Sequence, residues 1–439
     1  MRSIKPYPKY RALEIDWIGD IPENWNLEKF RFIFSESSEK IESEIVGEML
    51  SVSGYRGIEI KQYDDENRKR NEEDLIGYRV VRKGQLVVNT MWLNYTGLGI
   101  SEFEGYVSPA YRCYWLKSGI HKQYIHHLMR SSIYVIGYTK YLTGIRPNSL
   151  QMSRDDLMVF PILVPTFSEQ EIIAKFLDRE TGKLDLLIRE QKELIALLQE
   201  KRQALISNAV TKGLNPKAKM KDSGVEWLGE VPEHWKIKRL KQVAEVRGGI
   251  AKGRDLTGIN TIMVPYLRVA NVQDGYLDLE DVAEIEIGED EKSRYELRPG
   301  DVLMNEGGDF DKLGRGCVWD GQVSPCVHQN HVFSVRTISI TADWLAVYAS
   351  SSPAKFYFMS VAKQSTNLAS ISSSNLKELT LPCPSDFEQS EIIKFIRKKA
   401  NNLDILIEEA EESINLMQEH RASLISEAVT GKIDVRHLA

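Results

Sequence analysis

The chain has 439 residues, 57 Lys and Arg against 63 Asp and Glu, a formal net charge of −6 and 42% hydrophobic residues. That is an ordinary soluble composition, long enough for about three domains and more than one core. It excludes a membrane span, since no apolar run reaches ~20 residues, a four-cysteine disulfide framework (Cys113, Cys317, Cys326 and Cys383 are scattered), and a protein that coats nucleic acid by bulk charge. Met1-Arg2-Ser3-Ile4-Lys5-Pro6 lacks the apolar core of a signal peptide, so a reduced, cytoplasmic protein is expected. A reader with local basic patches stays open, and such patches lie at Arg68-Lys69-Arg70, Lys236-Ile237-Lys238-Arg239 and Lys252-Gly253-Arg254.

In chain order, the first landmark is Trp17-Ile18-Gly19-Asp20-Ile21-Pro22-Glu23-Asn24-Trp25. Short β-branched and aromatic runs between Gly, Asn and Asp turns then predict strands at 78–81, 86–88 and 111–115, and 122–130 reads as a helix. A long helix follows at about 169–212, then a linker with Asn215-Pro216-Lys217. The landmark now returns as Trp227-Leu228-Gly229-Glu230-Val231-Pro232-Glu233-His234-Trp235, with five of nine positions identical. Gly300-Asp301-Val302-Leu303-Met304-Asn305 repeats Gly84-Gln85-Leu86-Val87-Val88-Asn89, and Gly321-Gln322-Val323-Ser324-Pro325 repeats Gly105-Tyr106-Val107-Ser108-Pro109. Strands are expected at 265–269 and 331–335, a helix at 344–350 and a second long helix at about 388–431. It ends Leu424-Ile425-Ser426-Glu427-Ala428-Val429-Thr430, like Leu205-Ile206-Ser207-Asn208-Ala209-Val210-Thr211. The offset drifts only from 210 (Trp17 to Trp227) to 221 (Pro161 to Pro382), so the whole chain is two copies of one unit. Matching is dense at each unit's start and end and sparse between, as expected of a common frame with free middles.

Leu184, Ile188, Ile195, Leu198 and Leu205 form an apolar seam of near-heptad period, and Leu403, Ile407, Ile414, Met417 and Leu424 another. Both hold one register at an offset of 219, with Arg202 and Arg421 equivalent and densely charged outer faces. The dozen linker residues reach about 40 Å at most, whereas a helix of that length runs roughly 65 Å. The second globule must therefore begin where the first helix ends, and its own helix runs back. The expected fold is α+β: two mixed α/β domains joined by two long antiparallel coiled-coil helices, with an internal pseudo-two-fold repeat. The segments are 1–165, a helix at 166–213, a linker at 214–224, 225–386, a helix at 387–432 and a tail at 433–439. In this arrangement Ala439 lies near Met1.

No motif for chemistry is complete. Gly248-Gly249-Ile250-Ala251-Lys252-Gly253-Arg254 lacks the Lys-Ser/Thr end of a phosphate loop. Neither Gly307-Gly308 nor Gly314-Arg315-Gly316 makes a dinucleotide fingerprint. Glu59-Ile60-Lys61 has no partner aspartate for a nuclease metal site. Cys317, Cys326, His328 and His331 could ring a zinc only on paper, because strand alternation sends His331 to the opposite face. Polar and aromatic loops without catalytic groups suit the reading of base edges, where Asn and Gln match adenine and Arg and Lys match guanine. The candidates are Arg56, Gln62, Tyr63, Trp92, Asn94, Tyr95, Lys140, Thr143 and Arg146 in the first copy. In the second they are Lys252, Arg254, Asp309, Lys312, Lys363, Gln364, Thr366 and Asn367.

The run Ser223-Gly224-Val225-Glu226-Trp227-Leu228-Gly229-Glu230-Val231-Pro232-Glu233-His234-Trp235 resembles specificity subunits of type I restriction–modification systems. So do the helix start Phe167-Ser168-Glu169-Gln170-Glu171-Ile172-Ile173 and the Leu-Ile-Ser-x-Ala-Val-Thr endings. The second helix start, Phe387-Glu388-Gln389-Ser390-Glu391, is one residue shorter. The resemblance implies a non-catalytic subunit with two target-recognition domains, each reading half of a bipartite site on double-stranded DNA. Its helices would act as ruler and as dock for two adenine-methyltransferase (modification) subunits, which motor-nuclease (restriction) subunits can join. No cofactor is expected on this chain; S-adenosylmethionine, ATP and Mg belong to the partners. The competing reading is a non-enzymatic coiled-coil scaffold with two interaction heads.

Overall fold

A computed structural model describes residues 5–63, 72–144, 150–308, 313–364 and 369–438. It divides into two compact units, 1–192 with 412–439, and 193–411. Each unit takes one globule and a piece of both long helices.

In the first unit, strands Phe34–Glu36, Tyr111–Leu116, Leu86–Asn89 and Leu98–Ile100 form an antiparallel sheet in that order, with Tyr114 opposite both Glu36 and Leu86. A second sheet orders Gly57–Ile60, Glu48–Ser53, Gly105–Val107 and Arg79–Val81, with Gly105–Val107 parallel to Glu48–Ser53. Asn26–Lys29 pairs with Pro161–Val164, which brings the landmark motif beside the chain about to enter the long helix. The motif's purpose is then plain: Trp17 stacks on Phe160 at 5.5 Å and meets Tyr134 edge-on at 5.3 Å. A Cβ on Gly137 would lie 2.7 Å from the Trp17 ring, so the helix Ser132–Thr139 needs glycine where the indole crosses it. Burying aromatic side chains of this size contributes roughly 1.5–3 kcal/mol each.

The second unit repeats this frame. Ala244–Arg247, Val332–Thr337, Asp301–Asn305 and Gly316–Val318 form the equivalent sheet in the same order. Lys236–Arg239 pairs with Thr380–Cys383. Thr261–Leu267 lies parallel to Val327–His328, as the corresponding strands do in the first unit. Trp235 is buried against Trp344, ring centroids 5.9 Å apart. One matched stretch differs: Gly105–Val107 is a strand, whereas 321–323 is not.

The long helices run Phe167–Lys212 and Asp386–Val429, within two residues of the sequence reading at each end. Their starts explain the Glu-Gln motif. Gln170 accepts the His121 N–H (2.8 Å) and donates to the Pro165 carbonyl (2.9 Å). Gln389 does the same with Thr341 (2.9 Å) and Pro384 (2.9 Å). Both glutamines are fully buried, so each locks helix to globule through groups that water cannot reach. The shorter second start expected from the Phe387 spacing is not seen: each glutamine bonds the proline five residues before it, and Phe387 simply stands one place later in the helix than Phe167.

Within the first unit, Leu424, Ile425, Ala428 and Val429 share a core with Ile173, Ala174, Phe176 and Leu177, and Arg421 pairs with Asp185 at 2.9 Å. Within the second, Ile206, Ala209 and Val210 share a core with Ile392, Ile393 and Ile396, and Arg202 pairs with Asp404 at 2.7 Å. In each unit the numbering rises along one helix as it falls along the other, so the pieces are antiparallel. Asp185 and Asp404 are equivalent in the repeat, as are Arg202 and Arg421, so one ion pair has been used twice. Of the seam residues in the first unit, Ile188, Ile414 and Leu424 are buried, and Leu184 and Met417 half-buried. In the second, Leu198 and Leu403 are buried, and Ile195, Leu205 and Ile407 half-buried. The outer faces are densely charged, as expected, and carry exposed apolar side chains as well. Leu186, Leu187 and Leu416 are exposed in the first unit, and Leu194, Leu197, Ile405 and Leu406 in the second. No helix among the described residues is long and apolar enough to cross a membrane.

Candidate functional site

The first unit gathers its candidate residues on loops around the hairpin Glu48–Ser53 and Gly57–Ile60. Ser53 Oγ accepts the N–H groups of Tyr55 (3.3 Å) and Arg56 (3.2 Å), which fixes the tip. Arg56 stays exposed with Glu59 2.8 Å from its Nε. Arg56 and Gln62 line one cleft of about 650 Å3 with Ile60 and Phe103. Tyr63 turns back onto the hairpin, its hydroxyl 2.9 Å from Met49 Sδ. Tyr55 is tied to the helices: its hydroxyl donates to Asp185 (2.6 Å) and Arg421 sits 5.1 Å over its ring. Burial, then the Asp185 hydrogen bond, holds its pKa above the usual range.

On the other side of the hairpin stands the 91–97 loop. Asn89, buried, accepts the Met91 N–H (3.2 Å), and a 3-10 turn at Leu93–Tyr95 buries Leu93. Thr96 follows at φ 60°, the single non-glycine residue with positive φ among those described. A Cβ on Gly97 would come within 2.5 Å of the Trp92 carbonyl. This tight loop leaves Trp92 and Tyr95 56% and 57% exposed, ring centroids 5.6 Å apart. Asn94 Oδ1 is buried with no hydrogen-bond partner among the described residues. Arg130, at the end of the helix Lys122–Arg130, holds the loop from below. It donates to the carbonyls of Leu98 (2.5 Å) and Gly54 (2.7 Å), with Thr96 (3.3 Å) and Ser53 (3.4 Å) farther off. No carboxylate pairs with it among the described residues; burial, then Arg421, pulls its pKa down to about 10. Thr143 sits on the pair Leu142–Thr143 and Gln151–Met152, whose Met152 N–H donates to Thr90 (3.2 Å) beside the loop. Lys140 is exposed at the end of the helix Ser132–Thr139. Arg146 lies outside the described residues.

In the second unit, Lys363 and Gln364 are exposed on a strand paired with Ala369–Ser370, which in turn pairs with Gly307–Gly308. Glu306, just before that strand, accepts from His331 Nδ1 (2.7 Å), and Ile250 pairs with Gln329, so the 250 loop joins the same network. Lys252 lies over the Tyr266 ring at 5.4 Å. Arg254 is committed to Glu291 through two bonds of 2.6 and 2.9 Å, so it is not free to make a two-pronged contact with a base. Asp309, Lys312, Thr366 and Asn367 lie outside the described residues.

The residues set aside as a zinc set serve the fold. Cys317 and Cys326 are buried, and burial pushes both thiols up to about 12. His328 is buried with Nδ1 2.7 Å from the Val332 carbonyl. Among the described residues no group of three or more His, Cys, Asp or Glu could hold a metal ion. Sequence reasoning missed Met91, Tyr111 and Asn89, which line the cleft beside Trp92, and Arg130 beneath it. Asn89 alone left a signal, since Asn305 repeats it.

Residues 232–416 match the family described as type I restriction modification DNA specificity domain. Over 320 residues the chain is 25% identical to the type I restriction enzyme EcoKI specificity subunit of Escherichia coli strain K12, covering 71% of this chain and 65% of that protein. Over 321 residues it is 23% identical to the StySPI specificity subunit of Salmonella potsdam, covering 72% and 66%. The match spans just under two thirds of each relative's length. A chain from a solved structure on complex assembly and conformational transition of the type I R-M system shares the fold. Its TM-score is 0.69 at 14% identity, over 93% of this chain and 98% of that one.

Proposed function

We propose that the chain, which is similar to type I restriction–modification specificity subunits, is itself one and reads a bipartite site on double-stranded DNA, one unit per half. The observation that carries this is a frame used twice with unlike loops. The same sheet, motif and glutamine lock hold Trp92 and Tyr95 in one unit, and Lys363 and Gln364 in the other. Aromatic faces with Arg and Gln suit one set of base edges, and Lys with Gln another, so the two halves of the site differ in sequence. Loop cations set register on phosphates, which makes affinity fall steeply with salt.

The helices are the dock for two modification subunits, through which motor-nuclease subunits join. What supports a dock is apolar exposure recurring at repeat-equivalent places: Leu186 with Ile405, Leu187 with Leu406, and Leu197 with Leu416. Solvent-facing leucines that recur in register mark a contact surface more than chance. S-adenosylmethionine, ATP and Mg then act on the partners, while this chain contributes binding and position. The test is the purified full chain with a pool of random duplexes, alone and with its modification partner. It should retain selected sequences in a salt-dependent way and methylate only when the partner is added. Methyl transfer by the chain alone, or retention without sequence selection, would overturn the reading.

A further inference from the structure

Resting on that reading, we propose that the cleft beside Trp92 and Tyr95 binds one nucleobase drawn out of the duplex stack. The cleft is about 530 Å3, and Gly54, Asn89, Met91, Trp92, Tyr95 and Tyr111 are among the residues that line it. That volume falls within the roughly 300–1,000 Å3 of small-molecule sites. Its walls offer ring faces more than hydrogen-bond forks. A base paired in a duplex has no free face, so ring faces can hold a base only after it has left the stack. The polar groups at hand are amide and hydroxyl: Asn89 stands opposite Tyr111 across the paired strands, and Ser108 borders the cleft. These suit a base edge and not a phosphate.

The loop is built to keep this shape before DNA arrives. Thr96 is held in the left-handed region, Gly97 passes where no Cβ fits, and Gly54 faces the Tyr95 carbonyl at 2.9 Å from a would-be Cβ. Strained backbone persists where its surroundings overdetermine it, and it gathers at binding sites. Arg130 supplies that determination by bonding both loops that wall the cleft. It is a positioning residue. The second unit has Ser350 at the equivalent place, and there the hydroxyl caps its own helix by donating to Val347 (2.8 Å). The site therefore belongs to one half of the DNA target alone.

The test uses the full chain and a duplex it selects from random sequence, with each base pair replaced in turn by a mismatch. A base that must leave the stack leaves more readily when its pair is already broken. At one position, in the half-site assigned to the first unit, a mismatch should tighten binding about tenfold. 2-Aminopurine placed there should brighten on binding. Trp92→Ala should abolish both effects and Trp92→Phe restore them; exposure of this side chain lets either variant fold. Arg130→Met should lose the mismatch gain while the other half-site is still read. Selective binding with no position where a mismatch tightens would overturn the base site and leave the DNA reading standing. Failure to select any sequence would overturn both. Loss of partner assembly, with the mismatch gain intact in Trp92→Ala, would assign the aromatic pair to a protein surface instead.

Discussion

His328 makes the second unit acid-sensitive, and the size of the effect follows from its surroundings. The side chain is 2% exposed, and its Nδ1–H donates to the Val332 carbonyl at 2.7 Å. Burial is the largest influence on it and outweighs the raising effect of the Val332 and Gln329 carbonyls and of Asp301, so its pKa is held down to about 4. In the unfolded chain the same ring titrates near 6.5. Between those values the unfolded state binds a proton that the native state refuses. The stabilisation is therefore complete above pH 6.5 and is lost as pH falls toward 4. At about 1.4 kcal/mol per pH unit, acidification from 6.5 to 5 costs the second unit about 2 kcal/mol through this residue. Few carboxylates take up protons in that window. Hydrogen exchange of the amides in Val332–Thr337, followed from pH 6.5 to 5, measures it. His328→Gln should be less stable at pH 7 yet lose about 2 kcal/mol of the acid dependence. An unchanged slope in that variant would refute the reasoning.

Gln170→Ala and Gln389→Ala each strip a buried lock and leave an N–H and a carbonyl without partners, so each should cost about 3 kcal/mol. Denaturant unfolding followed by exchange should place the loss in the unit that carries the substitution. A permutant joined by a short linker from end to start and opened near Ala218 should melt within a few degrees of the parent. The expected meeting of Met1 and Ala439 lies outside the described residues. Beside it, the Asp434 N–H donates to the Lys5 carbonyl (2.8 Å), Tyr10 donates to the Gly431 carbonyl (2.8 Å) and Arg436 lies 4.7 Å over Tyr7. Residues 214–217 are exposed, so the cut touches no core. A permutant that is insoluble, or that loses one half-site, would count against this.

The frame was legible because it was written twice. Trp17 and Trp227, the Glu-Gln pairs and the heptad seams repeat in the same order, and a near-heptad apolar period over six turns reads as a long helix, favouring a paired one over two helices buried in separate cores. Individual strands such as Leu86–Asn89 and Tyr111–Leu116 showed in their β-branched and aromatic runs. Their partners did not, because nothing local says that Gly105–Val107 lies parallel to Glu48–Ser53. The cleft was half legible. Trp92 and Tyr95 stand out as aromatics in a polar loop, but the Gly54 and Tyr111 walls come from segments far off in sequence. Arg130 looked like an ordinary basic residue closing a helix, as the helix dipole favours. Only the fold shows its guanidinium turned onto two loops. Tyr55 is exposed, but nothing in its local sequence shows that its hydroxyl meets Asp185 and that Arg421 lies over its ring. The leucines on the outer helix faces were hidden by the charges between them.

The central claim, that each unit reads its own half of one DNA site, is tested most directly by exchanging residues 26–160 for the same region of a relative. The chimera would be expressed with its modification partners, and the methylated sequence read from the host's DNA. The account predicts that one half of the methylated motif changes while the other half and the spacer between them stay as they were. A change in both halves, or in neither, would contradict it.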